Sequence, residues 1–225
     1  MPLLQGLIFD LDGTLLDSAP DLCQALNLTL KDHNHGELTL DEVKDMTGDG
    51  MLPMLGRAFA ATGERITEAN SYKLFQEFIQ HYRTLKPDPS QLYPGTVEML
   101  EKYHAKGVKL GICTNKQEAA THRLIADLNL TPYFTFIAGG DTYPTHKPHP
   151  DHVRGVIAEL RVPAMQCVMI GDSRNDVLAA KGAGIPCIGI THGYGIALDQ
   201  LGANLLISGF NELPQALDSL GFQLS

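Results

Sequence analysis

Residues 3–18 read LLQGLIFDLDGTLLDS, an apolar run followed by a turn that contains two aspartates and a glycine. No charged side chain occurs between Leu3 and Phe9, which is typical of a parallel strand that is buried on both faces. Asp10 and Asp12 would then lie at the carboxyl end of this strand. We therefore predict a buried first strand that carries functional carboxylates at its end.

Four later segments repeat this pattern of an apolar run followed by a polar turn. The runs are residues 109–113, 134–138, 167–170 and 186–190. Apolar residues at helical spacing occur between and beside them, in residues 96–106, 119–128, 152–160 and 175–183. Strands that alternate with helices predict an α/β fold with a doubly wound, parallel, Rossmann-like sheet, in which ligands bind at the carboxyl edge.

The stretch from about residue 20 to residue 85 interrupts this alternation. It has the pattern of successive helices, with a glycine-containing turn at residues 47–50 and no convincing strand. A polar, proline-containing linker at residues 86–89 follows it. We interpret residues 19–85 as an inserted α-helical cap domain, and residues 1–18 and 86–225 as the core domain.

Composition narrows the class of protein. The chain has 225 residues, of which 44% are hydrophobic, so it can bury a substantial core. A formal net charge of -9 argues against a nucleic-acid partner, because binding to a phosphate backbone needs a basic surface. No segment has the pattern of a signal peptide or of a membrane span. We expect no membrane partner, and the sequence is compatible with a monomer or a homodimer.

The four cysteines indicate the redox environment. Cys23, Cys113, Cys167 and Cys187 are widely separated, and none of them forms a C-x-x-C pair. Three of the four lie in the apolar, strand-like runs. Buried, reduced thiols are therefore expected, and they favour a cytoplasmic location.

The first turn itself points to a metal-assisted reaction. Asp10 and Asp12 are held close together, and two carboxylates in a tight turn repel each other unless a cation or a proton separates them. Mg²⁺ prefers oxygen ligands and commonly binds through one or two carboxylates together with a substrate phosphate. A carboxylate can also act as a covalent nucleophile. From this turn alone, an acidic cap of the next helix remains an alternative.

The whole run of residues 10–18, DLDGTLLDS, resembles the first signature motif of the haloacid dehalogenase (HAD) superfamily in its phosphatase form. Three further motifs follow in the order typical of that superfamily. They are Thr114 after an apolar strand, Lys147 in the run KPHP, and GDSRND at residues 171–176. The resemblance implies an HAD core sheet with a helical cap and a magnesium-dependent phosphatase that acts on a small phosphate substrate through an aspartyl-phosphate.

The resemblance also assigns catalytic roles. It implies that Asp10 is the nucleophile and that Asp12 is the general acid and base. Residues i and i+2 at a strand end project to the same side, so the spacing of the two aspartates agrees with these roles. Thr114 would hydrogen-bond a phosphoryl oxygen, Asn115 would contact the substrate, and Lys147 would neutralise charge on Asp10 and on the transferring group.

A metal site follows from the same motifs. The resemblance implies that Mg²⁺ is bound by Asp10, by the backbone carbonyl of Asp12 and by Asp172. Asp176, one helical turn later, would support the ligands or their waters. Taken alone, the pair Asp172 and Asp176 would also fit a helix N-cap with an acidic residue in the first turn.

Three histidines lie close together near the third motif. His146, His149 and His152 suggest a transition-metal site at first sight, because imidazoles bind zinc and nickel. Pro148 and Pro150 prevent a continuous helix that would present the three rings on one face. We therefore predict solvated loop histidines.

Within the superfamily, the chain resembles the bacterial phosphoglycolate phosphatases. This resemblance is carried by residues 47–50 (TGDG), by residues 139–142 (GGDT), by residues 147–150 (KPHP), and by the position and size of the cap. It implies 2-phosphoglycolate as the substrate. Candidates for holding the substrate carboxylate are Arg57 and Lys44, by charge alone, and the backbone amides of the turn from Gly48 to Gly50.

Other functions remain open on the sequence. Asp12 disfavours a dehalogenase, because the hydrolysis of a carbon–halogen bond has no leaving alkoxide to protonate. A sugar phosphomutase also keeps both aspartates, and related phosphatases act on sugar phosphates, muramic acid phosphates or pyrophosphate. A non-enzymatic protein that binds phosphometabolites would be expected to have lost one of the motif residues, and none is missing here.

Overall fold

The fold is built on a parallel sheet whose strands alternate with helices along the chain. The computed structural model describes residues 3–195 and 197–224. The strands within these residues are β1 (Gly6–Phe9), β2 (Lys109–Cys113), β3 (Phe134–Ala138), β4 (Cys167–Gly171), β5 (Cys187–Ile190) and β6 (Leu205–Ile207). The helices are α1 (Ala19–Asp32), α2 (Leu40–Lys44), α3 (Met51–Ala61), α4 (Glu68–Thr84), α5 (Thr96–Ala105), α6 (Glu118–Asp127), α7 (Pro150–Leu160), α8 (Arg174–Ala183) and α9 (Leu213–Ser219).

The order of the strands creates a switch point at the centre of the sheet. The order is β3-β2-β1-β4-β5-β6, and every neighbouring pair is parallel. The chain therefore moves outward from β1 to β3, returns to place β4 beside β1, and continues in the other direction. Ligands of such sheets bind in the crevice outside the carboxyl ends of the strands at this point. The predicted doubly wound α/β fold is confirmed.

Four of the predicted strands agree closely with the observed ones, whereas β1 begins at Gly6, three residues after the start of the predicted apolar run. β2 and β3 have the predicted bounds, and β4 and β5 differ from them by one residue. The sequence analysis missed β6, which has three residues, lies at the edge of the sheet and exposes Leu206. A strand this short shows too few residues for an apolar pattern to be recognised.

Alternation of side chains along the strands divides the core into two layers. Leu7 and Phe9 of β1 point into a cluster with side chains of α5, α6 and α9. Ile8 points to the opposite face, where it packs in a cluster with side chains of α7 and α8. Successive strand residues point to opposite faces of a sheet, so a fully apolar β1 is what a sheet covered on both sides requires.

The helices between β1 and α5 have a core of their own. We call residues 19–84, which contain α1 to α4, the helical insert. Its buried apolar cluster includes Leu26, Leu55, Phe59 and Phe78. A capping box at Thr39 starts α2, and a second one at Thr67 starts α4. The domain boundaries predicted at residues 18/19 and 85/86 stay a prediction.

None of the helices in the described part of the chain is long and apolar enough to cross a membrane.

The close approach of β3 to the start of α6 generates a stability prediction. A methyl group at Gly139 would overlap the backbone N and Cα of Glu118, which cannot move independently of α6. We expect Gly139→Ala to lower the free energy of unfolding by about 1–3 kcal/mol, the typical range for overpacking a closely packed site. Gly36→Ala is the matched control, because nothing lies within 4 Å of the added methyl group. Equal urea midpoints for both variants would contradict this packing.

Candidate active site

Three buried carboxylates meet at the switch point of the sheet. Asp10 follows β1, Asp172 follows β4, and Asp176 lies in the first turn of α8. One carboxylate oxygen from each residue lies within 4.8 Å of the other two. β1 and β4 are neighbours in the sheet, and the Asp10 backbone N donates to Ile170 O at 3.0 Å, so the two strand ends are held side by side.

Lys147 supplies positive charge to this cluster. Its Nζ lies 2.6 Å from Asp176 Oδ1 and 2.9 Å from Asp10 Oδ1, and its side chain is buried. The contact of Lys147 with Asp176 is a hydrogen bond. Its contact with Asp10 is an ion pair whose geometry does not meet that of a hydrogen bond. Within the described part of the chain, no donor hydrogen-bonds Asp10 Oδ1. One ammonium against three carboxylates leaves the cluster short of positive charge.

The pKa values reflect this shortage. Burial, together with the charges of Asp10 and Asp176, raises the pKa of Asp172 to about 8. Burial also raises the pKa of Asp10 to about 6, although the nearby ammonium of Lys147 acts in the opposite direction. A divalent cation would favour the ionised form of both groups. The oxygen donors and their charge fit a hard divalent cation such as Mg²⁺ or Ca²⁺.

Hydrogen bonds divide the three carboxylates by role. Asp176 Oδ1 accepts from Lys147, and its Oδ2 accepts from the backbone N and the hydroxyl of Ser173, which begins α8. Asp172 is oriented by single hydrogen bonds from Thr14 Oγ1 at 2.9 Å and from Tyr194 N at 2.8 Å. The oxygens of Asp176 are therefore the most heavily engaged, which suits a supporting position.

Asp12 lies outside the three-carboxylate cluster. Both of its carboxylate oxygens accept from Lys116 Nζ, at 3.1 Å and 3.2 Å. The side chain of Lys116 is fully buried, and its Nζ lies 4.7 Å from the ring centroid of Tyr82 on α4. The sequence analysis gave Lys116 no role. Its position two residues after Thr114, in the turn that follows β2, was the available signal.

A narrow cavity of about 30 Å³ joins the predicted residues of the core to the helical insert. Its lining is Asp10, Asp12, Leu22, Thr47, Gly48, Gly50, Met51, Met54, Thr114, Asn115 and Lys116. It lies beside a wider groove of about 720 Å³, which shares Asp12 and Gly48 with it. The narrow cavity has room for only one or two water molecules. An organic phosphate would therefore require the helical insert to move.

The turn at residues 47–50 is the contact between the insert and the site. Gly48 O accepts from Nδ2 of Asn115 and from Nδ2 of Asn175, both at 3.1 Å. Asp49 Oδ1 accepts from Asn175 Nδ2 at 2.8 Å. Two amide side chains, one in the turn after β2 and one in the first turn of α8, thus hold this turn next to the carboxylates.

Arg57 does not reach the cavity. Its Nη1 donates to Asp49 Oδ2 at 2.7 Å, and its Nη2 donates to Met46 O at 2.6 Å. In this arrangement the guanidinium therefore stabilises the turn on the side away from the cavity, and a contact of Arg57 with a substrate stays a prediction. Lys44 lines the wider groove and not the narrow cavity.

One of the three histidines near Lys147 differs from the prediction of solvated loop residues. His146 and His149 are exposed, as predicted. His152 is buried, because α7 begins at Pro150, two residues earlier than predicted, and turns the ring inward. Its Nδ1 accepts from Lys147 N at 3.2 Å, and its Nε2 lies 3.1 Å from Gly139 O. Burial lowers the pKa of His152 to about 4, so the neutral ring holds the backbone of Lys147 in place.

Comparison with known proteins agrees with this geometry. Residues 7–190 match the model of the haloacid dehalogenase-like hydrolases. The chain is 39% identical over 217 residues to a phosphoglycolate phosphatase of Agrobacterium fabrum. This match covers 96% of the present chain and 93% of the relative. It is 39% identical over 213 residues to a phosphoglycolate phosphatase of Caulobacter vibrioides, with 94% and 90% covered.

Solved structures show the same architecture. The crystal structure of a predicted phosphoglycolate phosphatase from Haemophilus somnus superposes with a TM-score of 0.88. The two chains are 28% identical, and the match covers 95% of this chain and 97% of that one. The sheet, the carboxylate cluster and these relatives lead to one conclusion: this chain belongs to the family of haloacid dehalogenase-like hydrolases.

Proposed function

We propose that this protein hydrolyses 2-phosphoglycolate to glycolate and phosphate through an aspartyl-phosphate on Asp10. The observation that carries the proposal is the position of Asp10. Its buried carboxylate lines the cavity and lies next to the ammonium of Lys147, yet its Oδ1 accepts no hydrogen bond from any residue that the structure describes. A carboxylate oxygen that is held in place by an ion pair but accepts no hydrogen bond is suited to attack a phosphorus atom.

The reaction would proceed in two steps on the residues of the core. Asp10 forms a bond to phosphorus while the bond from phosphorus to the leaving oxygen breaks, and Asp12 gives a proton to that oxygen. Asp12 then takes a proton from a water molecule that attacks the phosphoryl group, and Asp10 is released with inorganic phosphate. The hydroxyl of Thr114 and the ammonium of Lys147 would stabilise the charge on the phosphoryl oxygens.

The proposed cofactor is Mg²⁺. Asp10, Asp172 and the backbone carbonyl of Asp12 would hold the ion, and Asp176 would support them. When bound, the ion would neutralise phosphoryl charge and align the phosphate with Asp10. The proposal is supported by the deficit of positive charge among the buried carboxylates, which one divalent cation would relieve.

The substrate assignment is supported by the relatives of this chain. Both relatives described above carry the name phosphoglycolate phosphatase and match this chain over nearly its full length. The helical insert contributes the apolar side chains of Leu22, Met51 and Met54 to the lining of the narrow cavity. We propose that residues 19–85 act as the cap, which opens to admit substrate and closes to exclude water.

The cysteines and the net charge of the chain bear on its location and its partners. The four cysteines are unpaired, and Cys113, Cys167 and Cys187 are buried, which supports a reducing, cytoplasmic compartment. The acidic net charge supports a small-molecule substrate and no nucleic-acid partner.

A substrate panel tests the assignment. With Mg²⁺ present, we expect the highest kcat/KM for 2-phosphoglycolate among a set that includes sugar phosphates, a muramic acid phosphate and pyrophosphate. Release of inorganic phosphate is the measurement. A higher kcat/KM for another member of the panel would replace the substrate. Isomerisation of a sugar phosphate without steady phosphate release would indicate a mutase.

Asp10→Asn tests the covalent route. The substitution removes the nucleophile but almost no volume, so we expect kcat to fall by at least about 10³-fold while the fold is retained. Kinetics and circular dichroism are the measurements, and the exposed Asp218→Asn serves as the matched control with unchanged turnover. Near-normal turnover of Asp10→Asn would exclude an aspartyl-phosphate at this residue.

The raised pKa values predict how stability depends on pH and on Mg²⁺. In EDTA, folded Asp172 holds a proton up to a pKa of about 8, whereas the unfolded chain releases it near about 4. The free energy of unfolding should therefore fall as the pH rises through this interval. Mg²⁺ binds the ionised carboxylates, so the rise in melting temperature that it causes should be larger at about pH 8 than at about pH 5.

Asp172→Asn is the control for this experiment. The neutral side chain should flatten the pH dependence in EDTA and reduce the effect of Mg²⁺ at both pH values. Melting temperatures that respond to Mg²⁺ equally in the wild type and in the variant would place the ion elsewhere.

A further inference from the structure

Lys116 is the positively charged side chain of the narrow cavity. Among the described residues that line this space, no other side chain carries a positive charge. Its ammonium is fully buried between the carboxylate of Asp12 and the face of the Tyr82 ring. A buried ammonium needs an anion beside it, because an uncompensated charge in the interior is costly.

The position of Lys116 relative to Asp12 sets the chemistry that it can recognise. A general acid must lie within about 3 Å of the oxygen that it protonates. Lys116 Nζ lies 3.1 Å from an oxygen of the same carboxylate. The leaving oxygen and the ammonium are thus separated by a single carboxylate group, and an anion one carbon away from the leaving oxygen can reach Lys116.

The ammonium also has capacity for a second anion. An ammonium group carries three N–H donors, and within the described residues that of Lys116 donates to Asp12 and also lies against the side chain of Tyr82. The donors therefore suffice for Asp12 and for a carboxylate of the substrate at the same time.

We propose that Lys116 is the residue that determines substrate specificity, by binding the carboxylate of the leaving group. The site would then select phosphate monoesters of small 2-hydroxy acids, in which the carboxylate is attached to the carbon that bears the phosphate. This inference rests on the proposed phosphatase function and adds the group that recognises the leaving acid.

Other cations of the chain are less suited to this role. The guanidinium of Arg57 is held by Asp49 and Met46. Lys44 and Arg174 line the wider groove, outside the space that contains Asp10. Carboxylates on longer leaving groups would be directed toward that groove, whereas Lys116 lies next to the reacting groups.

Two substrates with the same skeleton separate carboxylate binding from catalysis. Ethyl phosphate carries a methyl group where 2-phosphoglycolate carries its carboxylate. With Mg²⁺ present, we expect the wild-type protein to prefer 2-phosphoglycolate in kcat/KM by about 10- to 100-fold, because only this substrate offers an anion to the buried ammonium. Lys116→Met, which keeps length and removes charge, should abolish most of this preference.

The control is Lys109→Met, the same substitution at the exposed, opposite end of β2. It should leave both kcat/KM values and their ratio unchanged. Circular dichroism checks that Lys116→Met is folded.

Three outcomes would overturn the inference. If Lys116→Met lowers kcat/KM by the same factor for both substrates, Lys116 only positions Asp12. A wild-type protein that hydrolyses the two substrates equally well refutes carboxylate binding without any variant, while the phosphatase function stands. A wild-type protein that hydrolyses neither substrate refutes the proposed function, and this inference with it.

Discussion

The structure depends on a single electrostatic constraint, the mutual repulsion of three carboxylates that the fold buries together. Asp10, Asp172 and Asp176 have almost no access to water, and Lys147 alone among the described cations lies against them. Such an arrangement costs folding free energy, and strongly perturbed pKa values of this kind are typical of functional sites. The strand order enforces it, because β1 and β4 are neighbours and each is followed directly by an aspartate.

Each of the two aspartates that we propose to be catalytic has a buried lysine of its own beside it. Lys147 lies against Asp10 and is fixed by Asp176 and, through its backbone, by His152. Lys116 lies against Asp12 and is covered by Tyr82. The proposed nucleophile, Asp10, and the proposed acid–base group, Asp12, thus have separate positive partners.

The helical insert takes part in this arrangement through backbone as well as side chains. The carbonyl of Gly48 accepts hydrogen bonds from Asn115 and Asn175, which follow β2 and β4. Tyr82 of α4 covers Lys116. Movement of the insert would change contacts at both strand ends at once, which links the proposed opening and closing of the cap to the geometry of the carboxylates.

The sequence by itself determined the parallel sheet, the helical insert and the set of core motif residues. It could do so because strands buried on both faces are continuously apolar, and because Asp10, Thr114 and Asp172 directly follow such strands. The partners of the motif residues were decided by tertiary structure alone. Lys116 meets Asp12 across 104 positions of the chain, His152 is buried by the start of α7, and Arg57 binds Asp49 instead of facing the cavity. A charged residue looks the same in a sequence whether it is solvated or buried, and only the packing of distant segments decides which anion it meets.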